Sequence, residues 1–337
     1  MKTRCFLVLY MTLCLGATSI AESTSDTTAF SSLKLDPSRL AKGDVIIARI
    51  PGMGFSRGQA IESAFVVKLP PTKAIEAIKG WNASVHPELK VYLHADLASP
   101  PTQSDFQMLS SAPNNPAIRA FVAATQSQNG KSGELQLSAE ERSRVPAGKG
   151  GNGVIPDAVR SFWSDVLNKR SLAFLAGGIP AQPPYEISSQ KIRPSEEFAS
   201  LLKSLPKIRN QFTGLLDRAG LTAAPASKPS LYWELFDADG EATLTLGAAF
   251  ASSSGNTAQA VDVQFYATGS YFAYLTLYQL MPFESGGISG TLIWRADLIS
   301  AASLGTLHGI ERNAAGAAMV GEIQKLDTVF QKDNSPR

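Results

Sequence analysis

Cysteine is nearly absent from this sequence of 337 residues, and its absence excludes several kinds of site. The two cysteines, Cys5 and Cys14, both lie within the first 21 residues. If those residues are removed on export, the 316 residues that remain of 337 contain no thiol. Such a chain can form no disulfide, no thiolate metal site and no cysteine nucleophile.

The first 21 residues have the three parts of a signal peptide. Lys2 and Arg4 form a basic start, an apolar run follows, and Ser19, Ile20 and Ala21 form a small-x-small cleavage site. A lipoprotein anchor on the second cysteine is the alternative, but leucine stands before that cysteine where a small residue is required. We therefore predict cleavage near Ala21 and a secreted or periplasmic location.

Net charge is close to zero once the signal peptide is gone. Two of the 31 basic residues lie in it, which leaves 29 Lys and Arg against 29 Asp and Glu. This balance gives no electrostatic attraction to nucleic acid or to an anionic membrane surface, so we predict no nucleic-acid partner. The apolar run of the signal peptide is itself short for a membrane span, and we predict no transmembrane segment in the mature chain.

Charged residues are rarest between positions 242 and 310. Four occur there, Asp262, Glu284, Arg295 and Asp297, where the chain average of 18% would give about twelve. A sheet with one solvated face alternates apolar with charged residues, whereas this segment alternates apolar residues with Thr, Ser, Gly, Ala and Tyr. We therefore expect both faces of a sheet here to be covered, one by helices and the other by a semi-polar layer.

The N-terminal part of the mature chain predicts a leader, a hairpin and a helix. Residues 22–40 are polar and predict a flexible leader. Two strand-like runs at 43–50 and 59–69 flank the turn-forming sequence PGMGFSRG, which indicates a hairpin. The sequence PPTKAIEAIKGW then begins with prolines, as helices often do, and predicts a helix.

The rest of the chain indicates one α+β domain over residues 41–331. Residues 98–230 show the spacing of amphipathic helices, one of them divided at Pro206. From 231 to 300 the period changes to two, which predicts five strands in an antiparallel meander. Residues 303–331 predict a C-terminal helix. The predicted fold is therefore an antiparallel sheet gripped by a long C-terminal helix, with a large helical insertion.

A family resemblance supports this architecture. Residues 66–91, VVKLPPTKAIEAIKGWNASVHPELKV, run from a strand through two prolines into an amphipathic helix. Together with GTLIWRADLIS and the helix after it, this resembles the START-like helix-grip fold of the polyketide-cyclase and lipid-transfer superfamily, over about half of the mature chain. The resemblance implies a cavity for a lipophilic small molecule between the sheet and the last helix, and no obligatory cofactor.

Aromatic residues are concentrated at 264–283, where seven of the twenty residues are aromatic and none is charged. Alternation along the strand places Tyr and Phe on one face and Leu and Met on the other. Our hypothesis is that four aromatic residues line one concavity facing the C-terminal helix, with an arginine available to anchor a ligand: Phe272, Tyr274, Tyr278, Trp294 and Arg295. The alternatives are that the rings pack solidly with no void, and that the arginine pairs structurally with an aspartate at the sheet rim.

No catalytic or metal-binding motif is complete. The sequence GFSRG around Ser56 matches the G-x-S-x-G pattern of hydrolases, but a strand is predicted where the nucleophile elbow needs a helix. The run GKGGNG at 148–153 matches G-x-G-x-x-G but follows no strand. His308 and Glu311 share a helix face, yet two ligands make no metal site. We predict no catalytic residues, no metal and no cofactor.

These features leave three function classes open. The best supported is a secreted protein that binds a hydrophobic small molecule or lipid in a cavity between sheet and helix. The first alternative is a cell-envelope interaction protein without a small ligand. The second is a hydrolase-like or cyclase-like enzyme that uses the same cavity.

Overall fold

The computed structural model describes residues 29–127, 135–148, 155–187, 190–238 and 240–335. The predicted signal peptide and most of the glycine-rich run at 148–153 lie outside these residues. Within the described part of the chain, no helix combines the length and the apolar composition needed to cross a membrane.

Most of the strands form one antiparallel sheet. The strands are β1 (Ile46–Arg49), β2 (Gly58–Val67), β3 (Val91–Asp96), β4 (Tyr185–Ile187), β5 (Gln190–Ile192), β6 (Ser230–Ala238), β7 (Glu241–Ser254), β8 (Thr257–Ala267), β9 (Ala273–Ser285) and β10 (Ile288–Ser300). Eight of them pair in the order β1-β2-β10-β9-β8-β7-β6-β3, while β4 and β5 form a separate hairpin. The first hairpin therefore lies beside the last strand of the meander.

The predicted meander and the predicted first hairpin are both confirmed. Strands β6 to β10 follow one another across the sheet, and β1 pairs with β2. Two of the connecting turns use glycine with a positive φ, +90° at Gly240 and +55° at Gly255, a conformation that is strained for other residues.

Helices cover both faces of the sheet. They are α1 (Pro37–Ala41), α2 (Pro71–Gly80), α3 (Pro116–Ser127), α4 (Ala139–Ser143), α5 (Asp157–Gly177), α6 (Pro194–Lys203), α7 (Pro206–Gln211), α8 (Thr213–Leu216), α9 (Ala302–Thr306) and α10 (Gly309–Asp333). The predicted α+β fold with a long C-terminal helix is thus confirmed. Pro206 begins α7, as expected from a proline that divides two helices.

Two boundaries differ from the prediction. The insertion at 98–230 is not wholly helical, because it also contains the hairpin of β4 and β5. The C-terminal helix is two helices, since Leu307 and His308 have extended backbones between α9 and α10. Gly309, with a φ of +52°, begins the longer one.

The face of the sheet beneath the insertion, here the insertion face, is apolar. Helix α3 packs against β7, α6 against β9 and β10, and α8 against β7 and β8. Leu246, Val263, Leu275 and Trp294 are fully buried there among side chains of the insertion. Residues at alternate positions of the same strands face the other way.

The opposite face, here the α10 face, is covered by two helices. Helix α10 lies along β1 and β2, and α2 lies across β8, β9 and β10. Phe65, Ile75, Leu280, Ile293 and Phe330 form a small apolar cluster between these helices and the sheet. A second apolar cluster on this face includes Ala267, Leu304, Phe236 and Ile299, and polar side chains lie between the two clusters.

Residues 29–40 of the predicted flexible leader pack against the sheet in the structure. Phe30, Leu33 and Leu40 are buried in the core of the insertion face. The buried carboxylate of Glu62 accepts hydrogen bonds from the backbone N–H groups of Ser32 and Leu33, at 2.9 and 3.1 Å. A buried carboxylate needs hydrogen-bond donors, and this segment supplies them.

Candidate functional site

The five residues predicted to bind a ligand do not share one face of the sheet. Tyr274, Tyr278 and Arg295 lie on the α10 face, whereas Phe272 and Trp294 belong to the core of the insertion face. The prediction that these aromatic residues line one concavity is therefore wrong. Three of its proposed members remain together beneath or beside α10.

Strand boundaries and register explain the error. Strand β9 begins one residue after Phe272, so alternation does not extend to that ring, which lies 6.3 Å from the ring of Tyr185. Trp294 pairs directly with Gln279, and residues directly opposite each other share a face. The Trp294 ring meets the ring of Phe30 edge-on at 4.8 Å.

The aliphatic half of the pattern was interpreted correctly. Leu275, Leu277 and Met281 were expected on a dry side against helices, and all three are buried in the core of the insertion face. Alternation within β9 thus holds from its first residue.

The enclosed space between α10 and the sheet is small. Its volume is about 30 Å³, and Tyr278, Arg295 and Asp327 line it together with apolar side chains that include Trp81 and Phe330. One water molecule occupies about 30 Å³ in the liquid. The space is therefore too small for a lipid with α10 in this position.

A row of polar residues crosses the α10 face. Asp297 on β10 pairs with Thr276 on β9, which pairs with Asp262 on β8. We call the polar side chains around this row the polar band: His94, Tyr232, Glu234, Asp262, Gln264, Tyr271, Tyr274, Thr276, Tyr278, Arg295, Asp297 and Asp327. Hydrogen bonds, ion pairs and ring contacts connect its members.

Tyr232 reaches across a neighbouring strand to Asp262. Its hydroxyl donates to both carboxylate oxygens, at 2.9 and 2.8 Å. The ring passes over Gly247 on β7, where a Cβ atom would overlap it. The absence of a side chain at Gly247 is what allows this contact.

His94 and Glu234 form the outer end of the band. The Nδ1 atom of His94 lies 3.0 Å from a carboxylate oxygen of Glu234, and the imidazole stacks on the Tyr232 ring at 5.5 Å. Burial alone would lower the pKa of His94, but the hydrogen bond and charge of Glu234 outweigh it and raise the pKa. This favours the charged imidazolium.

Arg295 is the centre of the inner end. Its guanidinium donates to Asp297 at 2.7 Å and to Asp327 of α10 at 2.9 Å. Tyr274 and Thr276 also donate to Asp297, at 2.8 and 3.0 Å. These contacts join β9 and β10 to α10.

Not every polar atom of the inner end has a partner. Among the described residues, none forms a hydrogen bond with Nε of Arg295 or with the second carboxylate oxygen of Asp297. Both side chains are almost fully buried. Such groups cost stability, because burial removes water without replacing its hydrogen bonds.

The outer end of the band is open to solvent. His94, Glu234, Asp262, Gln264 and Tyr274 are each partly exposed, in contrast to the inner end beneath α10. These side chains therefore have some contact with solvent, whereas Tyr232 and Tyr271 beside them are buried.

Burial changes the ionisation of two carboxyl groups. It raises the pKa of Asp262 to about 7, although the Tyr232 hydrogen bond opposes this. It raises the pKa of Asp327 to about 6, against the attraction of Arg295. Asp262 can therefore gain or lose a proton near neutral pH, which a general acid or base requires. Within the described residues, no group of three or more potential ligand side chains is placed to hold a metal.

A second concave region lies on the surface where the insertion joins the sheet. This groove has a volume of about 290 Å³, and its lining includes Lys79, Asp96, Leu175, Lys228 and Leu231. Asp96 ends β3, so the groove begins near the outer end of the polar band.

The remaining candidates from the sequence lie apart from the band. Ser56 is in the turn before β2, which begins at Gly58 and is not a helix. The geometry of a nucleophile elbow is therefore not present there. His308 precedes α10 and is exposed, as is Glu311 in its first turn.

Several members of the polar band were not predicted from the sequence. His94 and Glu234 are separated by 140 residues, and Asp327 lies on α10, 32 residues from its partner Arg295. Asp262 offered one signal, because it is a charged residue in a segment nearly free of charge.

No model of a protein family matches the chain, and no curated protein matches it at a significant level.

Proposed function

We propose that this protein is exported and binds a small molecule on the α10 face of its sheet, over the open end of the polar band. The observation that carries the proposal is Tyr232 bound to Asp262 above Gly247. A hydroxyl and a carboxylate in the middle of a sheet face contribute less to folding than apolar residues would, so their placement favours a role in recognition.

The arrangement of strands supports a helix-grip assignment. A first long strand, β2, pairs with the last strand, β10, and the meander continues outward to β3. The long last helix lies on the same face as the polar band. In a helix-grip protein this is the face that holds the ligand, as the resemblance in the sequence implies.

The available space favours a small ligand with polar groups. The enclosed volume beneath α10 is only about 30 Å³, whereas sites for small molecules usually measure several hundred. We therefore place the ligand over the partly exposed side chains of Asp262, Glu234 and Tyr274, with its apolar part against the tyrosine rings. A long acyl chain would require α10 to move.

Native mass spectrometry of protein purified from its own source tests this proposal. We expect a bound small molecule, and we expect Tyr232→Phe to retain less of it. Tyr266→Phe is the matched control, because its hydroxyl donates to the Gln136 carbonyl on the insertion side, at 3.1 Å. Equal loss from both variants, or no bound molecule, would oppose the proposal and favour an envelope interaction protein.

Catalysis at the same place is a second candidate, favoured by one observation. The pKa of Asp262, about 7, would let this carboxyl exchange a proton with a bound substrate near neutral pH. A hydrolase-like or cyclase-like activity of this kind should be lost in Asp262→Asn and kept in Ser56→Ala. An activity lost only in Ser56→Ala would instead indicate an esterase at the turn before β2.

A further inference from the structure

We propose that the groove where the insertion joins the sheet binds a free amino acid with an apolar side chain. This site goes beyond the function proposed for the α10 face, and none of the residues invoked there lines the groove. The size of the groove, its charged side chains and its apolar floor together indicate this class of ligand.

The groove is large enough for a small molecule. Its volume is about 290 Å³, close to the lower end of the range for small-molecule sites, about 300–1,000 Å³. The enclosed space beneath α10, at about 30 Å³, has room for one water molecule. Of these two spaces, the groove is therefore the one that matches a ligand as large as an amino acid.

Four segments that are distant in the sequence form the groove. They supply Lys79 from the last turn of α2, Asp96 from the end of β3, Leu175 from near the end of α5, and Lys228 from the segment before β6. The backbone N–H of Leu97 donates to the Leu231 carbonyl at 2.8 Å, which joins the end of β3 to the start of β6. The fold therefore holds the floor of the groove in place.

Three charged side chains line the groove, those of Lys79, Lys228 and Asp96. No described residue forms a hydrogen bond or an ion pair with any of these three side chains. By contrast, Lys73, on the same helix as Lys79, pairs with Glu76 at 2.8 Å. Lysines without a counter-ion attract a carboxylate, and an unpaired aspartate attracts an ammonium group. A free amino acid carries both of these groups on one carbon atom.

The floor of the groove is apolar. Leu97 and Leu175 are partly buried against the core of the insertion face, and Leu231 belongs to that core. An aliphatic side chain of a ligand would cover these leucines, and removal of apolar surface from water is favourable. The ligand therefore carries an apolar group as well as its two charges.

Three probes with nearly the same carbon skeleton separate the two charges. L-Leucine carries both, isocaproate lacks the ammonium group, and isoamylammonium lacks the carboxylate. Each would be added at low salt to the chain from residue 22 onward, with ¹³C-labelled leucine methyl groups. We expect shifts at Leu97, Leu175 and Leu231. We expect L-leucine to bind about fivefold more tightly than either of the other probes, since exposed ion pairs are individually weak.

Two substitutions assign the two charges. Lys228→Gln should reduce the preference for L-leucine over isoamylammonium, because it removes a partner of the carboxylate. Asp96→Asn should abolish the preference for L-leucine over isocaproate, because it removes the partner of the ammonium group. Lys73→Gln is the matched control and should keep both preferences, since Lys73 is paired on α2 and does not line the groove.

Equal binding of the three probes would overturn the inference, and so would an absence of shifts at the three leucines of the floor. It would also be overturned if Lys228→Gln and Asp96→Asn changed both preferences equally, because the two charges would then have no separate partners. The result that supports it is the loss of one preference in each variant, with both kept in the control.

Discussion

The two faces of the sheet bury alternate residues of the same strands, yet their chemistry differs. On the insertion face, Phe174 stacks on Phe265 at 4.2 Å and Trp294 lies among Phe30 and Phe212. On the α10 face, carboxylates, tyrosines and an arginine occupy the equivalent positions. Folding alone favours the apolar composition of the insertion face, because buried ion pairs add little stability compared with apolar residues of similar size. The second composition therefore points to function.

Charged residues beneath the insertion sharpen this contrast. Arg170 is as buried as Arg295, but it binds both oxygens of Glu141, at 2.7 and 2.6 Å, and donates to the Pro183 carbonyl. Its guanidinium also lies 4.1 Å from the centre of the Tyr266 ring. The polar atoms of this arginine all have partners, whereas Nε of Arg295 has none among the described residues. Full pairing is typical of a structural ion pair.

Replacing one aromatic residue on each face with alanine should give the largest difference in the free energy of unfolding. Trp294→Ala removes a fully buried ring and should lower the free energy of unfolding by about 4 kcal/mol. Tyr274→Ala, at a partly exposed position, should lower it by about 1–2 kcal/mol. Urea unfolding measures both, and equal losses would mean that the α10 face is solid core.

Replacement of Arg295 should have the next largest effect on the free energy of unfolding. Arg295→Met leaves Asp297 and Asp327 without their cation and should cost about 3 kcal/mol. Adding Asp327→Leu removes one of the stranded charges, so the double variant should be more stable than Arg295→Met alone. If the double variant loses as much free energy of unfolding as the two single variants together, the two residues are not coupled in this way.

Replacing Asp262 should change the pH dependence of stability by about 2 kcal/mol, because partial exposure of this side chain reduces the roughly 4 kcal/mol that its full pKa shift would give. The folded pKa of Asp262, about 7, lies above its ordinary value of 3.8, so the fold favours the protonated form. That contribution is complete below pH 4 and is lost as the pH rises through 7. Wild type should therefore lose stability relative to Asp262→Asn between pH 4 and pH 8. A constant difference between them would contradict the raised pKa.

A methyl group at Gly247 should have the smallest of these effects. Gly247→Ala places a carbon against the Tyr232 ring and should cost about 1 kcal/mol. In a Tyr232→Ser background the same change should be nearly neutral, since the ring is gone. If the cost persists in that background, the ring is not what excludes a side chain from this position.

Local patterns in the sequence predicted the strands. The face of the sheet on which a side chain lies depends instead on contacts between residues that are far apart in the sequence. The meander was visible because period-two alternation and turn residues are properties of neighbouring positions. The face of the sheet on which Trp294 lies was not visible in the sequence. It depends on the pairing of Trp294 with Gln279 and on the side on which the insertion packs. The position of Leu33 depends similarly on a hydrogen bond to Glu62, which is 29 residues away in the sequence.

The candidate site was predictable only in part for the same reason. Tyr274 and Tyr278 followed from alternation within one strand. Arg295 and Asp327 meet through a hydrogen bond between residues 32 positions apart, and Tyr232 and Asp262 through one between residues 30 apart. No spacing rule along the chain connects such pairs.

The central claim is that the α10 face recognises a ligand while the insertion face serves the fold, and tyrosine resonances test it most directly. Tyr232, Tyr271, Tyr274 and Tyr278 report on the first face, and Tyr185 and Tyr266 report on the second. The chain from residue 22 onward, with ¹³C-labelled tyrosine, would be titrated with the small molecules released by denaturing protein purified from its source. We expect shifts at Tyr232 and Tyr274 and none at Tyr185 and Tyr266. Shifts confined to the insertion-face pair, or no shift at any tyrosine, would contradict the account.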